Sequence, residues 1–551
     1  MTTNIIHPFL AGPSIELPVP QPCQNPASSD GEIISLNESQ LALKSHNEAS
    51  QPAQTQPAPA EEPPTAHKSQ SKPPELPTLF AEIIFIIVCS MGQLLFAILL
   101  SNTLVNQVTL VEALGISGSL SPWLVGSFLL ANGISVVISG SLADLTNPKW
   151  LTVGAFIWLT IWDLIGVFSI QPSRMVLYFF ARAMQGIAVG VLESTAMSIL
   201  GRVYKPGQRK NKVFAMMSAM IPMGFGIGAL QGGAFSAHLH WVFGSTAILC
   251  AICAAAAYWV VPSIPPSTRE QGSDQLLSIK DFDFLGAAVC ACGCGLLIFG
   301  LTQGAPTNWT PYTYALVIVG ALFFVAFYFV EQWVTRPLID NRVWRTPGFI
   351  GLMVSYFLGY GAFVGAWMFY AVRFFLTIQS KPPILAAVYL LPIAVAGTLA
   401  TWVVAKTLHI LPGHYILITS MISFTMGPVF FLPQTANTTY WALSFPGIIL
   451  ATFGPDMSFA AASIFITSNV PRSFQGAAGS LLITMQNLSS AVFTAVGDTI
   501  GENVTKSGGY ALDLEALRAI WWFSLAAALL GAVICAVFVR IPKSEEKEHV
   551  Q

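Results

Sequence analysis

Long, almost uncharged apolar runs recur along this chain between residues 79 and 539. Each has roughly 18–27 residues, and an α-helix of that length crosses a hydrocarbon core about 30 Å thick. Helices are required because lipid offers unpaired backbone amides no partner, and the runs are too long and too evenly apolar for barrel strands. The pattern predicts an all-α integral membrane protein that crosses the bilayer about fourteen times.

The composition excludes several classes of protein. Only 9% of the residues are charged, against about 25% in ordinary soluble domains, so water is not the main solvent of this chain. The net charge of -2 offers no basic excess for nucleic acid. The sequence has no phosphate-binding G-x-x-x-x-G-K loop, no His cluster and no Cys framework, so we expect neither an ATP-driven pump nor an enzyme, and no metal or other cofactor.

Residues 1–78 are rich in Pro, Ser, Gln and Glu and have no sustained apolar period, which predicts a disordered tail. The positive-inside rule predicts that both termini are cytosolic, because a basic cluster in one short loop then lies inside. That cluster consists of Arg202, Lys205, Arg209, Lys210 and Lys212. In this topology three Asn-x-Thr sequons fall in outside loops, and the candidate glycosylation sites are Asn308, Asn437 and Asn503.

A charged turn follows the second apolar run. Gly140 would let another helix approach closely, and Asp144 and Lys149 place opposite charges at the turn, where they can pair with each other or with helix ends. Taken alone, this segment is explained by an ordinary turn whose long side chains reach the membrane surface. A gating role is a hypothesis that depends on further motifs.

The fourth run carries two charges inside the membrane, Arg182 and Glu193, together with Gln185. Such charges are costly and normally face a wet cavity or a partner. The two charged residues are about three turns apart, so they lie on nearly one face with about 16 Å between them, too far for direct pairing. We favour a cavity-lining role for Arg182, whereas for Glu193 a cavity-lining and a structural role stay equally open.

Several segments resemble the major facilitator superfamily. Residues 140–149 resemble its G-x-L-A-D-R-x-G-R-K loop signature, with Leu145 and Pro148 in place of the first two basic residues, and residues 182–186 resemble its R-x-x-Q-G motif. The resemblance narrows to the fourteen-span drug:proton antiporter family, closest to its fungal aminotriazole-resistance-type branch. The segments that carry it are residues 121–125, 201–211, 299–304, 454–460 and 470–476.

The resemblance implies a major facilitator fold with two six-helix bundles and two inserted helices. Its expected segments are an N-terminal bundle at 79–261, a cytosolic linker at 262–283, inserted helices at 284–334, a C-terminal bundle at 349–539 and a cytosolic tail at 540–551. The first, fourth, ninth and twelfth spans would line a central pathway. The candidate pathway residues are polar groups on these spans and on the thirteenth: Arg182, Gln185, Glu193, Asn102, Tyr370, Arg373, Asp456 and Asn487. For Asp163 and Asp498 we favour structural hydrogen bonding.

One departure from the family concerns proton coupling. Ser101 stands where the family's first span has Asp, and Ser cannot carry a proton at useful pH. If coupling is retained, Glu193 and Asp456 are the candidates, because burial disfavours the charged form of a carboxylate. The resemblance implies a monomer in the plasma membrane that exports a small organic compound in exchange for protons. A proton-independent facilitator or uptake carrier on the same fold fits Ser101 better, and a non-transporting nutrient sensor is a third alternative.

Overall fold

The structure, a computed structural model, describes residues 78–204, 208–266, 278–407, 411–470, 475–505 and 512–541. These residues form helices and connecting loops and contain no β-strand. Apart from Thr78, the predicted N-terminal tail lies outside the described residues, as do residues 267–277 of the predicted linker and 542–551 of the predicted C-terminal tail.

The long helices are numbered in chain order. They are α1 Leu79–Val105, α2 Pro122–Leu145, α3 Pro148–Val167, α4 Met175–Val203, α5 Gln208–Ala234, α6 His240–Val260, α7 Phe284–Gly304, α8 Pro311–Trp333, α9 Phe349–Ile378, α10 Pro383–Thr407, α11 Gly413–Phe431, α12 Ser444–Asn469, α13 Gln475–Val504 and α14 Leu514–Phe538. Polar caps mark several starts: the Thr78 hydroxyl accepts from the backbone amide of Ala81, and the Asp283 carboxylate accepts from that of Gly286.

Thirteen of these helices are long and apolar enough to cross a membrane. The remaining one, α13, has 30 residues and includes Gln486, Asn487 and Asp498. Its length suits a span, and its polar residues explain why its composition is less apolar. The prediction of an all-α membrane protein is therefore confirmed.

Helix α9 departs from regular α-helix in two places. Its backbone is π-helical at Gly361–Met368 and again at Phe374–Ile378. Such wide turns are rare and often lie near functional sites. In the first of them a methyl group on Gly365 would lie 2.5 Å from the backbone oxygen of Ser490, so α9 and α13 are in backbone contact there. The direction in which the following residues of α9 point depends on this local widening.

The helix packing pattern occurs twice, eight helices apart. In the first half α1 packs on α5, α2 on α4 and α3 on α6, whereas in the second α9 packs on α13, α10 on α12 and α11 on α14. Helices α7 and α8 pack mainly on each other, and α7 also touches α2 and α13. This packing confirms a fold with two six-helix bundles and two inserted helices, while the segment boundaries given above stay predictions.

Two helix pairs join the bundles, and we call them the α2–α13 seam and the α5–α10 seam. Small residues bring the backbones close at both. A methyl group on Gly133 would lie 3.2 Å from Cβ of Asn487, and one on Gly226 would lie 2.8 Å from Cβ of Ala394. We call the face at which α1 begins side A and the face at which it ends side B. Consecutive long helices run alternately between these faces.

Candidate functional site

Arg182 lies inside the first bundle, in the side-B half of α4, and is 1% exposed. Its guanidinium donates to the backbone oxygen of Leu99 at 3.0 Å and to Oε1 of Gln185 at 2.8 Å, and lies 4.8 Å from the centre of the Phe128 ring. Gln185 donates through Nε2 to Oδ1 of Asp163 at 2.5 Å. The buried cation and the buried carboxylate are therefore joined through one amide side chain, and the structural hydrogen bond expected for Asp163 is present.

A narrow cleft near side B lies beside this network, between α1, α4 and the start of α6. Asn102, Thr103, Tyr178 and Arg182 contribute to its wall, together with apolar residues of α6. Nδ2 of Asn102 also donates to Oε1 of Gln231 on α5 at 3.1 Å. The structure thus brings Asn102 and Arg182 together, but in a cleft within one bundle and not between the two bundles.

Glu193 is 2% exposed and lies near the middle of α4. In the part of the chain that the structure describes it makes no ion pair. Its Oε2 accepts a hydrogen bond from Nδ2 of Asn132 on α2 at 3.2 Å, and Oδ1 of Asn132 accepts from Nδ2 of Asn487 on α13 at 2.5 Å. Glu193 is therefore connected to the second bundle across the α2–α13 seam.

Asp456 holds the corresponding place in the second bundle. It lies on α12, and a methyl group on Gly397 of α10 would lie 3.3 Å from its Oδ2 and 2.5 Å from Cβ of Pro222 on α5. The residue is partly exposed, and no ion pair involves it among the described residues. Because the packing pattern of the first six helices repeats eight helices later, α4 corresponds to α12 and α2 corresponds to α10. Glu193 and Asp456 thus occupy corresponding helices of the two bundles, and each lies beside one seam without an ion pair among the described residues.

The two candidate residues on α9 hold helices together. The Tyr370 hydroxyl donates to the backbone oxygen of Thr494 at 2.8 Å, which ties α9 to α13 within the second bundle. Arg373 donates through Nη1 to the hydroxyl of Ser121 at 2.9 Å, and Gln107 donates to the α9 backbone at 3.1 Å. These last two bonds join the bundles at side B, where the structure is closed between α9 and the first bundle.

In the charged turn after α2, the two oppositely charged residues do not pair with each other. Asp144 forms an ion pair with Arg202 at the end of α4, with 2.7 Å between Oδ1 and Nη2, and not with Lys149. The Lys149 ammonium lies 5.5 Å from the centre of the Tyr258 ring. A methyl group on Gly140 would lie 2.7 Å from Oγ of Ser480 on α13, so this glycine gives the α2–α13 seam its close contact near side A.

A second ion pair at side A joins α1 to the start of α5. Oε2 of Glu82 accepts from Arg209 at 2.5 Å, and the Tyr204 hydroxyl donates to Oε1 of Glu82 at 2.9 Å. The hydrogen bond with Glu82 raises the pKa of Arg209, so the guanidinium stays charged. The sequence analysis did not single out Glu82, although an acidic residue at the start of an apolar run is a usable signal.

The three predicted glycosylation sites, Asn308, Asn437 and Asn503, are exposed and lie at side B. Exposure on one face is what the hypothesis requires, and the modification itself stays a prediction. Among the described residues no three His, Cys, Asp or Glu side chains come together in a way that would hold a metal ion.

Residues 83–494 match the family model described as Major Facilitator Superfamily. The chain belongs to this superfamily. Together with the helical fold, the match makes the protein a multi-pass membrane transporter.

Relatives of this superfamily member include transporters of different kinds. The chain is 32% identical to the low affinity ammonium transporter of Saccharomyces cerevisiae, over 79% of this chain and 83% of that protein. It is 29% identical to the efflux pump terJ of Aspergillus terreus, over 84% and 88%, and 27% identical to the aminotriazole resistance protein of Saccharomyces cerevisiae, over 83% and 84%. These matches confirm the resemblance to the drug-transporter family.

Solved structures support the fold. The nucleoside transporter NupG aligns with a TM-score of 0.55 at 14% identity, covering 82% of this chain and 98% of NupG. At this identity the likeness concerns the arrangement of helices alone.

Asn132 is a second residue that the sequence analysis missed within this major facilitator fold. It is fully buried and lies between Glu193 and Asn487, so it completes the connection between two candidates that were singled out separately. A polar amide in the middle of an otherwise apolar run was a signal for it. Its partners were not visible in the sequence, because helical periodicity does not say which neighbouring helix a side chain faces.

Proposed function

We propose that this transporter exports a small organic compound across the plasma membrane in exchange for protons, with both termini in the cytosol and side A facing the cytosol. The observation that carries the proposal is the placement of two intramembrane carboxylates, Glu193 and Asp456, each beside one seam between the bundles and without an ion pair among the described residues. The efflux pump and the aminotriazole resistance protein among the relatives support export of an organic compound.

An unpaired carboxylate in a membrane interior is costly, and protonation removes its charge. Ionisable residues inside membranes are rare, and many of them mark ion and proton pathways. Glu193 lies beside the α2–α13 seam and Asp456 beside the α5–α10 seam. Alternating access requires movement at both seams, so each carboxylate is placed where its charge state affects that movement.

A facilitator or uptake carrier is the second candidate, and Ser101 is the observation that favours it. The Ser101 hydroxyl donates to the backbone oxygen of Ala97 at 2.7 Å, within its own helix. The hydrogen bonds that Ser101 makes among the described residues stay within α1, and a serine hydroxyl does not give up its proton at useful pH. The ammonium transporter among the relatives also fits a carrier that does not export organic compounds.

The test is efflux of a panel of small toxic compounds from cells that express the wild type, Glu193→Gln or Asp456→Asn at equal surface levels, with and without a protonophore. The matched control is Glu331→Gln, which replaces a buried carboxylate on the inserted helix α8, away from both seams. Proton-coupled export predicts that the protonophore abolishes wild-type efflux and that at least one seam variant loses it while Glu331→Gln keeps it. Efflux that survives the protonophore and both seam variants would favour the facilitator.

A further inference from the structure

The chain of hydrogen bonds from Asn487 through Asn132 to Glu193 has a direction. Nδ2 of Asn487 donates to Oδ1 of Asn132, and Nδ2 of Asn132 donates to Oε2 of Glu193. All three side chains are at most 2% exposed. The chain ends on a carboxylate oxygen that only accepts, which is the arrangement that an ionised Glu193 requires. At the other end, Oδ1 of Asn487 has no hydrogen-bond partner among the described residues.

A protonated Glu193 carries an additional O–H donor, and Nδ2 of Asn132, which now faces it, cannot accept from that donor. If the Asn132 amide turns over about its Cβ–Cγ bond, its Oδ1 becomes the acceptor. The turned amide then presents Nδ2 towards α13, where the acceptor is Oδ1 of Asn487, the atom that now lacks a partner. The proton stays on Glu193, no covalent bond other than its O–H forms or breaks, and only the two amides rotate.

We propose that Asn132 is a positioning residue that transmits the protonation state of Glu193 to the α2–α13 seam by reversing this hydrogen-bond chain. The inference rests on the proposed function, because it assigns Glu193 as the carboxylate whose proton controls the seam. In the ionised state Asn487 donates across the seam, and in the protonated state it must turn to accept. The change acts at a close contact of the seam, since a methyl group on Gly133 would lie 3.2 Å from Cβ of Asn487 and Thr484 donates to the backbone oxygen of Gly133 at 2.7 Å.

No charged group of the described helices stands next to the Glu193 carboxylate to override this relay. Helix α2 presents Asn132 to it, while Gly92 of α1 lies against the backbone of Glu193. The charged residues on α4 and on the helices packed against it lie elsewhere: Arg182 contacts Gln185 and Leu99, Asp163 of α3 contacts Gln185, Asp144 of α2 contacts Arg202, Glu82 of α1 contacts Arg209, Lys149 of α3 lies over the Tyr258 ring, and Lys212 of α5 is exposed near side A.

The test is hydrogen–deuterium exchange of the purified full-length protein in lipid nanodiscs, without substrate, at pH values from 5 to 9 and after correction for intrinsic exchange. Peptides from α2 and α13 are compared in the wild type, Glu193→Gln, Asn132→Leu and Ser135→Ala. The last variant is the matched control, because the Ser135 hydroxyl also joins α2 to α4, through the backbone oxygen of Ile187 at 2.8 Å, but lies outside the relay.

We expect α13 protection near Asn487 to change by about tenfold across the pH range in the wild type, the effect expected for one charge-assisted hydrogen bond. Ser135→Ala should keep this pH dependence, while Glu193→Gln and Asn132→Leu should abolish it. The two should differ in one respect, because Glu193→Gln supplies an uncharged side chain that can donate to Asn132, as the protonated carboxyl group does, and should therefore hold α13 at the low-pH level. A flat wild-type profile, or an unchanged profile in Asn132→Leu, would overturn the relay.

The efflux measurement separates this result from the proposed function. If efflux requires the proton gradient but hydrogen–deuterium exchange of α13 does not depend on pH, proton-coupled export is supported and the relay is refuted. If hydrogen–deuterium exchange depends on pH and on Asn132 but the protonophore does not change efflux, the relay is supported and proton-coupled export is refuted.

Discussion

Replacing Gln185 by Leu would separate the buried charges of Arg182 and Asp163. Gln185 accepts from Arg182 at 2.8 Å and donates to Asp163 at 2.5 Å, so the variant loses two hydrogen bonds to charged groups. Such bonds contribute about 1.5–3 kcal/mol each in proteins generally, whereas interhelical bonds in membranes average about 0.6 kcal/mol and reach about 1.7. Arg182 keeps its bond to the backbone oxygen of Leu99 and Asp163 keeps its contact with the Cys250 thiol. Because both lost bonds are buried, the upper membrane value applies to each, and we expect a loss of about 3 kcal/mol in stability.

The assay is thermal unfolding of the purified protein in one detergent at one heating rate, since membrane proteins of this size unfold irreversibly. We expect the apparent Tm of Gln185→Leu to fall by at least about 3 °C. The control is Ser101→Ala, which removes a buried hydroxyl that bonds only within its own helix and should change Tm by less than about 1 °C. The reasoning is refuted if the apparent Tm of Gln185→Leu equals that of the Ser101→Ala control.

Three further predictions concern packing and ion pairs. Gly228→Ala should lower the surface level of the folded protein severalfold, measured by surface labelling, because its methyl group would lie 2.5 Å from Cα of Ile98; Gly154→Ala, with open space around it, is the control. Arg202→Ala should cost less than about 1 kcal/mol in thermal stability, because the Asp144 side chain with which it pairs is 56% exposed and solvent weakens the pair, and a larger loss would show a buried role. Arg373→Leu should increase labelling of a cysteine at the buried Ser119, near side B, by a membrane-impermeant reagent relative to the single Ser119→Cys variant, because it removes the bond to Ser121 that joins the bundles. Equal labelling would contradict closure by this contact.

The candidate site was only partly predictable from the sequence. Arg182, Glu193 and Asp456 stand out as charges in apolar runs, and a charge in lipid requires an explanation whatever its neighbours are. What each of them binds was not predictable. Arg182 reaches Asp163 through Gln185, and Asp144 reaches Arg202 instead of Lys149. Tyr370, expected on a pathway, bonds to the backbone of α13 within its own bundle.

The sequence by itself determines that this protein is a bundle of membrane-crossing helices. Run length and the absence of charge are local properties, and in lipid each helix satisfies its own backbone hydrogen bonds, so neither depends on the rest of the fold. Only the tertiary structure decides which helices meet. The relay joins Asn132 to Glu193 across 61 residues and to Asn487 across 355. Because lipid is as apolar as the helix surfaces, hydrophobicity does not select partners, and close packing of small residues and pairing of buried polar groups select them instead.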